Sequence, residues 1–333
     1  MTEVLHASPA ALARAAALIR AGKLVAFPTE TVYGLGARAD DAAAVLGIFA
    51  AKGRPPTNPL IVHVPDAAAG RALALEWPHA AEALAAAFWP GPLTLVLQKR
   101  NGSGGVVDEA TAGGPTVAVR VPAHPVALAL LRAAALPIAA PSANRSTAIS
   151  PTTAEHVVKS LGDRVDLVLD GGPTGGAGGH GIESTIVDVT RVPAVLLRPG
   201  AIPLAALAEH AIVVDPGALV VAAGDRAAAP GAQARHYAPR ARVSMVAADA
   251  VRAEVEALRA LGQRTGTLER SPGSGAPGPS EVLPDDAAGY AAGLYAALHR
   301  LEDAGCDAIV IAAVPDSDAW AAVRDRLRRA SAR

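Results

Sequence analysis

The sequence predicts an α/β layer fold in two units, a larger one built on a mixed sheet and a smaller one after it. Three observations lead there. Strand-like apolar runs alternate with helical patterns across short links. Several strand-to-strand links hold no helix, which a wholly parallel sheet would need. From about residue 203 to 239 the texture changes, and a second series of alternating elements follows.

In chain order, residues 9–21 form an amphipathic helix, with Ser8 as cap, Pro9 in the first turn and Gly22 as its end. Residues 23–27 are a strand running into Pro28 and a polar, glycine-bearing turn. A helical pattern over 40–51 begins with Asp40 and Asp41, acids that suit the positive end of a helix. Lys52 and Arg54 stand at its other end, where Pro55, Pro56 and Pro59 stop it. Residues 60–64 resume as a strand. A helix over 78–87 follows, then the run WPGPLTLVL (89–97) turning into a strand, and a strand over 116–121 with Arg120 inside it. A helix over 124–135 leads to a short strand, 137–140, opening into Pro141, Ser142, Ala143 and Asn144. Next come a helix (152–161), a strand (167–170), a glycine-rich loop (171–181) and strands over 184–189 and 194–197 that lead to Arg198. The second unit reads as strand 241–247, helix 250–261, strand 264–268, helix 287–304, strand 308–314 and helix 318–330. Its segment 271–280 has the composition of a flexible loop. The boundaries are therefore 1–205, a linker over 206–240, and 241–333.

A chain of 333 residues, 51% hydrophobic, can bury two cores and is not a disordered polymer. Aromatics make up only 3%, so alanine, valine and leucine do most of the packing. A net charge of −1 supplies no global field for nucleic acid. Cys306 is the single cysteine, which excludes an internal disulfide and a multi-thiolate zinc site; it reads as a buried thiol. Neither a secretory leader nor an apolar span of bilayer length is visible, so the expectation is a cytoplasmic protein with no membrane partner.

The candidate chemistry lies mostly in the first unit. Two strand ends and a helix end bring Thr29, Thr31, Tyr33, Lys52, Arg54, Asn58 and His63 within reach of one another, a site for a polyanion and a small polar molecule. Each residue has a plainer reading. Lys52 and Arg54 also suit a solvated helix end, Thr29 and Thr31 suit a strand, Ser142 and Asn144 suit a turn, and His236 and Tyr237 suit linker packing. Arg120, inside an apolar strand, needs an anion, from the protein or from a ligand. The glycine-rich loop is followed by a strand-like run, and a phosphate-binding loop needs a helix there. No nucleophile with its base stands out, so the site reads as one that positions reactants and neutralises charge.

Together these residues resemble the threonylcarbamoyl-adenylate synthase family, whose core is the YrdC-like domain. The matching segments are 27–36 (FPTETVYGLG), 52–64 (KGRPPTNPLIVHV), 89–94 (WPGPLT), 116–122, 141–144 (PSAN), 183–188 (ESTIVD) and 197–200 (LRPG). The family signature Lys-x-Arg with Ser-x-Asn falls on Lys52, Arg54, Ser142 and Asn144. The second unit and the His236–Pro239 motif resemble the two-domain branch. One departure is Thr147, where the family often has glycine.

The resemblance implies a YrdC-like twisted mixed sheet with a concave site, followed by a smaller Rossmann-like α/β domain. It implies that L-threonine, bicarbonate (as CO₂) and ATP give threonylcarbamoyl-AMP, pyrophosphate and water. Thr31, His63, Arg120 and Ser184 would hold threonine. Arg54, Asn58, Thr116, Ser142, Ser150, Arg198 and Tyr237 would contact ATP, with Lys52 and Asn144 completing the catalytic set. Mg²⁺ would arrive with ATP, with no metal ligand from the protein. Downstream transferase machinery would pass the group to tRNA, which this chain would contact at most indirectly. A contrasting reading is a double-stranded RNA or tRNA binding module without adenylyl transfer. A third, a carbamoyl-transfer maturation domain, would carry zinc-finger or acylphosphatase-like segments, which are not seen here.

Overall fold

The computed structural model describes residues 2–100, 105–175, 179–215, 236–270 and 274–332. In the first unit the strands are β1 (Glu3–His6), β2 (Val25–Phe27), β3 (Gly34–Arg38), β4 (Ile61–His63), β5 (Leu93–Gln98), β6 (Thr116–Arg120), β7 (Ile138–Ala139), β8 (Leu167–Asp170), β9 (Thr185–Asp188), β10 (Ala194–Arg198) and β11 (Val213–Val214). They form one sheet in the order β1-β8-β2-β3-β7-β4-β6-β5-β9-β10-β11. The sheet is mixed, as expected: β4 pairs parallel with β6, whereas β5 with β6 and β2 with β3 are antiparallel.

The helices are α1 (Pro9–Arg20), α2 (Ala42–Lys52), α3 (Ala67–Leu73), α4 (His79–Phe88), α5 (Pro125–Ala134), α6 (Ala154–Leu161) and α7 (Leu204–Ala208). Ser8 caps α1 through its side chain, and Asp41 caps α2 by accepting from the backbone of Ala43 and Ala44. Because Asp41 is the cap, α2 starts two residues later than the acids suggested. Gly53 ends α2 in the left-handed conformation, φ 60°, and turns the chain toward Arg54.

Three sequence expectations change. The turn after Pro28 gives way to β3, a strand despite its glycines, since a Cβ on Gly36 would come within 2.7 Å of the Phe27 ring. Helix α3 and the edge strands β1 and β11 had not been foreseen; each is short and carries little periodic signal. Through the pairing of Ala194 with Val213, the first unit runs on to Val214, into the stretch taken as linker. Residues 216–235 of that linker lie outside the described residues, as do 176–178 of the glycine-rich loop and 271–273 of the later loop.

The second unit holds β12 (Arg242–Val246), α8 (Val251–Ala260), β13 (Thr265–Glu269), β14 (Ser280–Val282), α9 (Ala287–Asp303), β15 (Ala308–Ala312) and α10 (Ala321–Ser331). Its four strands are all parallel, in the order β12-β15-β13-β14. Cys306 is buried and unpaired there, and burial pushes its thiol up. Helices α9 and α10 reach the first unit. The His299 and His156 rings stack at 3.7 Å across the seam, and the His236 backbone donates to the Arg329 carbonyl.

Candidate functional site

The C-terminal ends of β4 and β6 fix the first half of the site. His63 and Arg120 are register partners there, so both side chains start from one level of the sheet. Arg120 is buried and spends its donors inward, Nη2 on Glu30 Oε1 at 2.6 Å, Nη1 on Thr31 Oγ1 at 3.0 Å and Nε on the Gly91 carbonyl. Its anion is thus a protein carboxylate. Burial works against the Glu30 charge, but Arg120 outweighs it and holds the carboxyl below its usual range. Burial, helped by the Arg120 charge, takes His63 down to about 3, so its ring is neutral. Ser184, just before β9, shares a 2.8 Å hydrogen bond with Thr94 and accepts from Arg198.

The second half is cationic. Arg54 folds back on its own loop, donating to the carbonyls of Asn58 and Pro59. Lys52 Nζ donates to the carbonyls of Ser142 and Asn144, tying α2 to the loop after β7. Arg198 donates to the Ser184 carbonyl. These cations are buried and crowd each other. Burial and the Arg54 charge pull Lys52 well below its ordinary value; burial and Arg198 pull Arg54 down to about 10. Burial, then Arg54, Lys52 and Arg198, keep His236 uncharged.

Among the described residues, buried polar atoms without partners gather here: both amide atoms of Asn58, Asn144 Oδ1, His63 Nδ1, His236 Nδ1 and the Tyr237 hydroxyl. Such atoms are rare in a finished core and mark where a ligand makes the missing bonds.

One hollow joins the two halves. Thr31, His63, Arg120 and Ser184 line it, with Arg54, Ser142, Arg198, Tyr237, Thr29, Pro141, Glu183 and His236. Its volume is about 50 Å³, room for a water or two and far below the ~300 Å³ or more of a small-molecule site. Tyr237 forms part of its wall, buried at φ 59°, a conformation that costs a bulky residue about 1–3 kcal/mol. Lys52, Asn58, Asn144 and Ser150 are outside that lining: Lys52 holds the Ser142 and Asn144 carbonyls, the Asn144 amide donates to the Arg145 and Ala148 carbonyls, and the Asn58 carbonyl accepts from Arg54. Thr116 is at the other end of β6 from Arg120, opposite Gln98, and does not line the hollow.

Sequence reasoning passed over Glu30, Glu183, Tyr295 and Arg326. Ser150 Oγ donates to Glu183 Oε1 at 2.6 Å, while Tyr295 and Arg326 of the second unit each donate to Oε2 at 2.9 Å. Burial would raise the Glu183 carboxyl, but Arg326 and Arg198 hold it below the usual range. Glu30 was legible as an acid between two threonines; nothing in the basic run around Arg326 sets that arginine apart. Thr147, the departure from the family, has φ 68°, which glycine adopts freely, and its carbonyl accepts from Ala238 beside Tyr237.

Comparison with known proteins places the fold in a family. The Sua5/YciO/YrdC family model, described as telomere recombination, matches residues 17–200, and the threonylcarbamoyl-AMP synthase C-terminal domain model matches 201–332. The threonylcarbamoyl-AMP synthase of Pyrococcus abyssi is 46% identical over 95% of this chain and 93% of its own length. That of Bacillus subtilis is 39% identical over 99% and 96%. The crystal structure of P. abyssi Sua5 complexed with L-threonine superposes with a TM-score of 0.89 at 39% identity, covering 99% of this chain and 97% of that one. A P. abyssi Sua5 variant with a histidine and the next tyrosine both changed to alanine gives 0.91 at 40% identity, covering 99% and 96%. On these matches, which together run through both units, the chain belongs to the Sua5/YciO/YrdC family in its two-domain, threonylcarbamoyl-AMP synthase form.

Proposed function

We propose that this chain is an L-threonylcarbamoyladenylate synthase, a nucleotidyltransferase that supplies the activated group for N6-threonylcarbamoyladenosine in tRNA. Its relatives' names and the L-threonine complex of one of them support the reading. The observation that carries it is the buried crowd of cations, Lys52, Arg54 and Arg198, facing a neutral, hydroxyl-lined half around Thr31, His63 and Ser184. A polyanion relieves the first; an amino acid fits the second.

In this reading Arg120, already paired with Glu30, turns its two remaining N–H groups to the threonine carboxylate, and Thr31, Ser184 and neutral His63 meet the other polar groups of the amino acid. The threonine amine combines with CO₂ from bicarbonate to a carbamate, releasing water. A carbamate oxygen then attacks the α-phosphorus of ATP, and pyrophosphate leaves. Arg54 and Arg198, with Ser142 held by Lys52, offset the charge gathering on the phosphates, and Asn144 completes the set by its place in the family pattern. Asn58, Ser150 and Thr116 are assigned to ATP by their place in the family pattern.

Mg²⁺ would enter on the triphosphate. Glu30 and Glu183 are both engaged by arginine, and no group of three or more metal-ligating side chains occurs among the described residues. His236 and Tyr237 line the small hollow beside Arg54 and Arg198, and in this reading they move aside to admit ATP and close over it, excluding water.

An RNA-binding module fits less well, because a duplex backbone cannot reach cations buried like Lys52, at 2% exposure, and Arg54, at 7%. A cytoplasmic location and a downstream tRNA transferase partner belong to this reading; no helix among the described residues is long and apolar enough to cross a membrane. The test is pyrophosphate release from ATP, with threonine and bicarbonate omitted in turn. Release that needs neither refutes the assignment.

A further inference from the structure

Glu183 poses an electrostatic problem. It lines the hollow where the reading above, on which this inference rests, puts a triphosphate, yet it is a buried acid. Its charge is compensated mainly from the other unit. Arg326, on α10, has a fully buried side chain, donates from Nε to Glu183 Oε2 and from Nη1 to the Pro199 carbonyl, and lays its guanidinium 5.1 Å from the Tyr237 ring centre. Tyr295, on α9, donates to the same carboxylate oxygen and packs its ring 5.8 Å from that of Tyr237.

Apolar packing makes part of this contact, since Val32, Ile149 and Ile182 share a buried cluster with Tyr295, Val323 and Leu327 of the second unit. Two hollows of about 400 and 320 Å³ flank α10 where it faces β10, each lined by Leu196, Pro199 and Ala321. Beside the hollows a polar latch adds to the packing, tying α10 to Glu183 and to the Pro199 carbonyl.

We propose that Arg326 is a positioning residue of the nucleotide half: it neutralises Glu183, and so keeps that carboxylate from repelling the triphosphate or pairing with Arg198. The other guanidinium that acts on the acid belongs to Arg198, which donates to the Ser184 carbonyl. Without Arg326, Glu183 draws Arg198 out of the phosphate-facing set, and Tyr237 loses the cation under its ring. The second unit then completes the active site electrostatically.

The test is calorimetric binding of a non-hydrolysable ATP analogue with Mg²⁺, and separately of L-threonine, to the full chain. Arg326→Gln should weaken the analogue by about tenfold or more and leave threonine within about twofold, as a local uncompensated charge would do. Arg326→Lys, which keeps the charge but loses the fork that also holds the Pro199 carbonyl, should weaken the analogue clearly less than Arg326→Gln does, and it serves if the glutamine variant does not fold. Adding Glu183→Gln to Arg326→Gln removes the stranded acid and should restore most of the loss. Unchanged analogue affinity in Arg326→Gln, equal loss of both ligands, or no rescue in the double variant overturns the proposal. A parent protein that binds neither ligand refutes the synthase reading itself.

Discussion

His63 gives a prediction whose size follows from its surroundings. The ring is buried beside Arg120, and its pKa falls from 6.5 to about 3. Above pH 6.5 the ring is neutral in both the folded and the unfolded chain, so stability is intact there. Below that value the unfolded chain takes up a proton that the fold refuses, and stability falls until the pH reaches the folded value. The slope is about 1.4 kcal/mol per pH unit, so going from about pH 7 to about pH 5 costs about 2 kcal/mol through this residue. Any folded value below about 4 gives nearly the same loss at that pH. The measurement is urea unfolding of the ligand-free protein and of His63→Gln at both pH values. Other buried histidines, His236 and His299 among them, titrate in both proteins, so the difference between the two curves isolates His63. The parent should lose about 2 kcal/mol more than the variant on acidification. Parallel pH dependence in the two proteins would refute a neutral, desolvated ring beside Arg120.

Arg54→Ala should cut pyrophosphate release by about a hundredfold or more while the urea midpoint shows a folded protein, as for the loss of one preorganised charge at a reacting phosphate. Tyr237→Ala should leave L-threonine affinity unchanged and weaken ATP retention about tenfold by calorimetry; equal ATP affinity would remove the closing role of that ring. L-threonine at ~100 times its Kd should stabilise the parent by ~2.7 kcal/mol in thermal melts and do nothing for Arg120→Ala. Thr147→Gly should stabilise by about 1 kcal/mol, because a β-branched residue at φ 68° is strained and glycine is not; a lower melting temperature contradicts that.

What could be read in the sequence is what local chemistry encodes. Ser8 and Asp41 announced their helices by side-chain capping, and the second unit's longer elements declared themselves by period. Residues 34–38 did not, because glycines give no strand signal; the strand exists because Phe27 and Ile138 close over Gly36. At the site, the motif residues were legible as a set, and the structure gathers Thr31, His63, Arg54, Arg120, Ser142, Ser184, Arg198 and Tyr237 around one hollow. The inner ties were not legible. That Lys52 holds the carbonyls of Ser142 and Asn144, or that Glu30 partners Arg120, depends on contacts some 90 residues apart in the chain. Arg326 was the least legible, since a basic helix end reads as solvated until the opposing surface is known.

Glu183 and Arg326 are separated by 143 positions. At ribosomal rates of roughly 5–20 residues per second, the acid emerges on the order of ten seconds before its cation. In that interval the nascent first unit must solvate or protonate Glu183, so its wall matures only when α10 docks. Synthesis that stops short of α10 would leave a sheet with its motifs in place and an unneutralised acid facing the triphosphate.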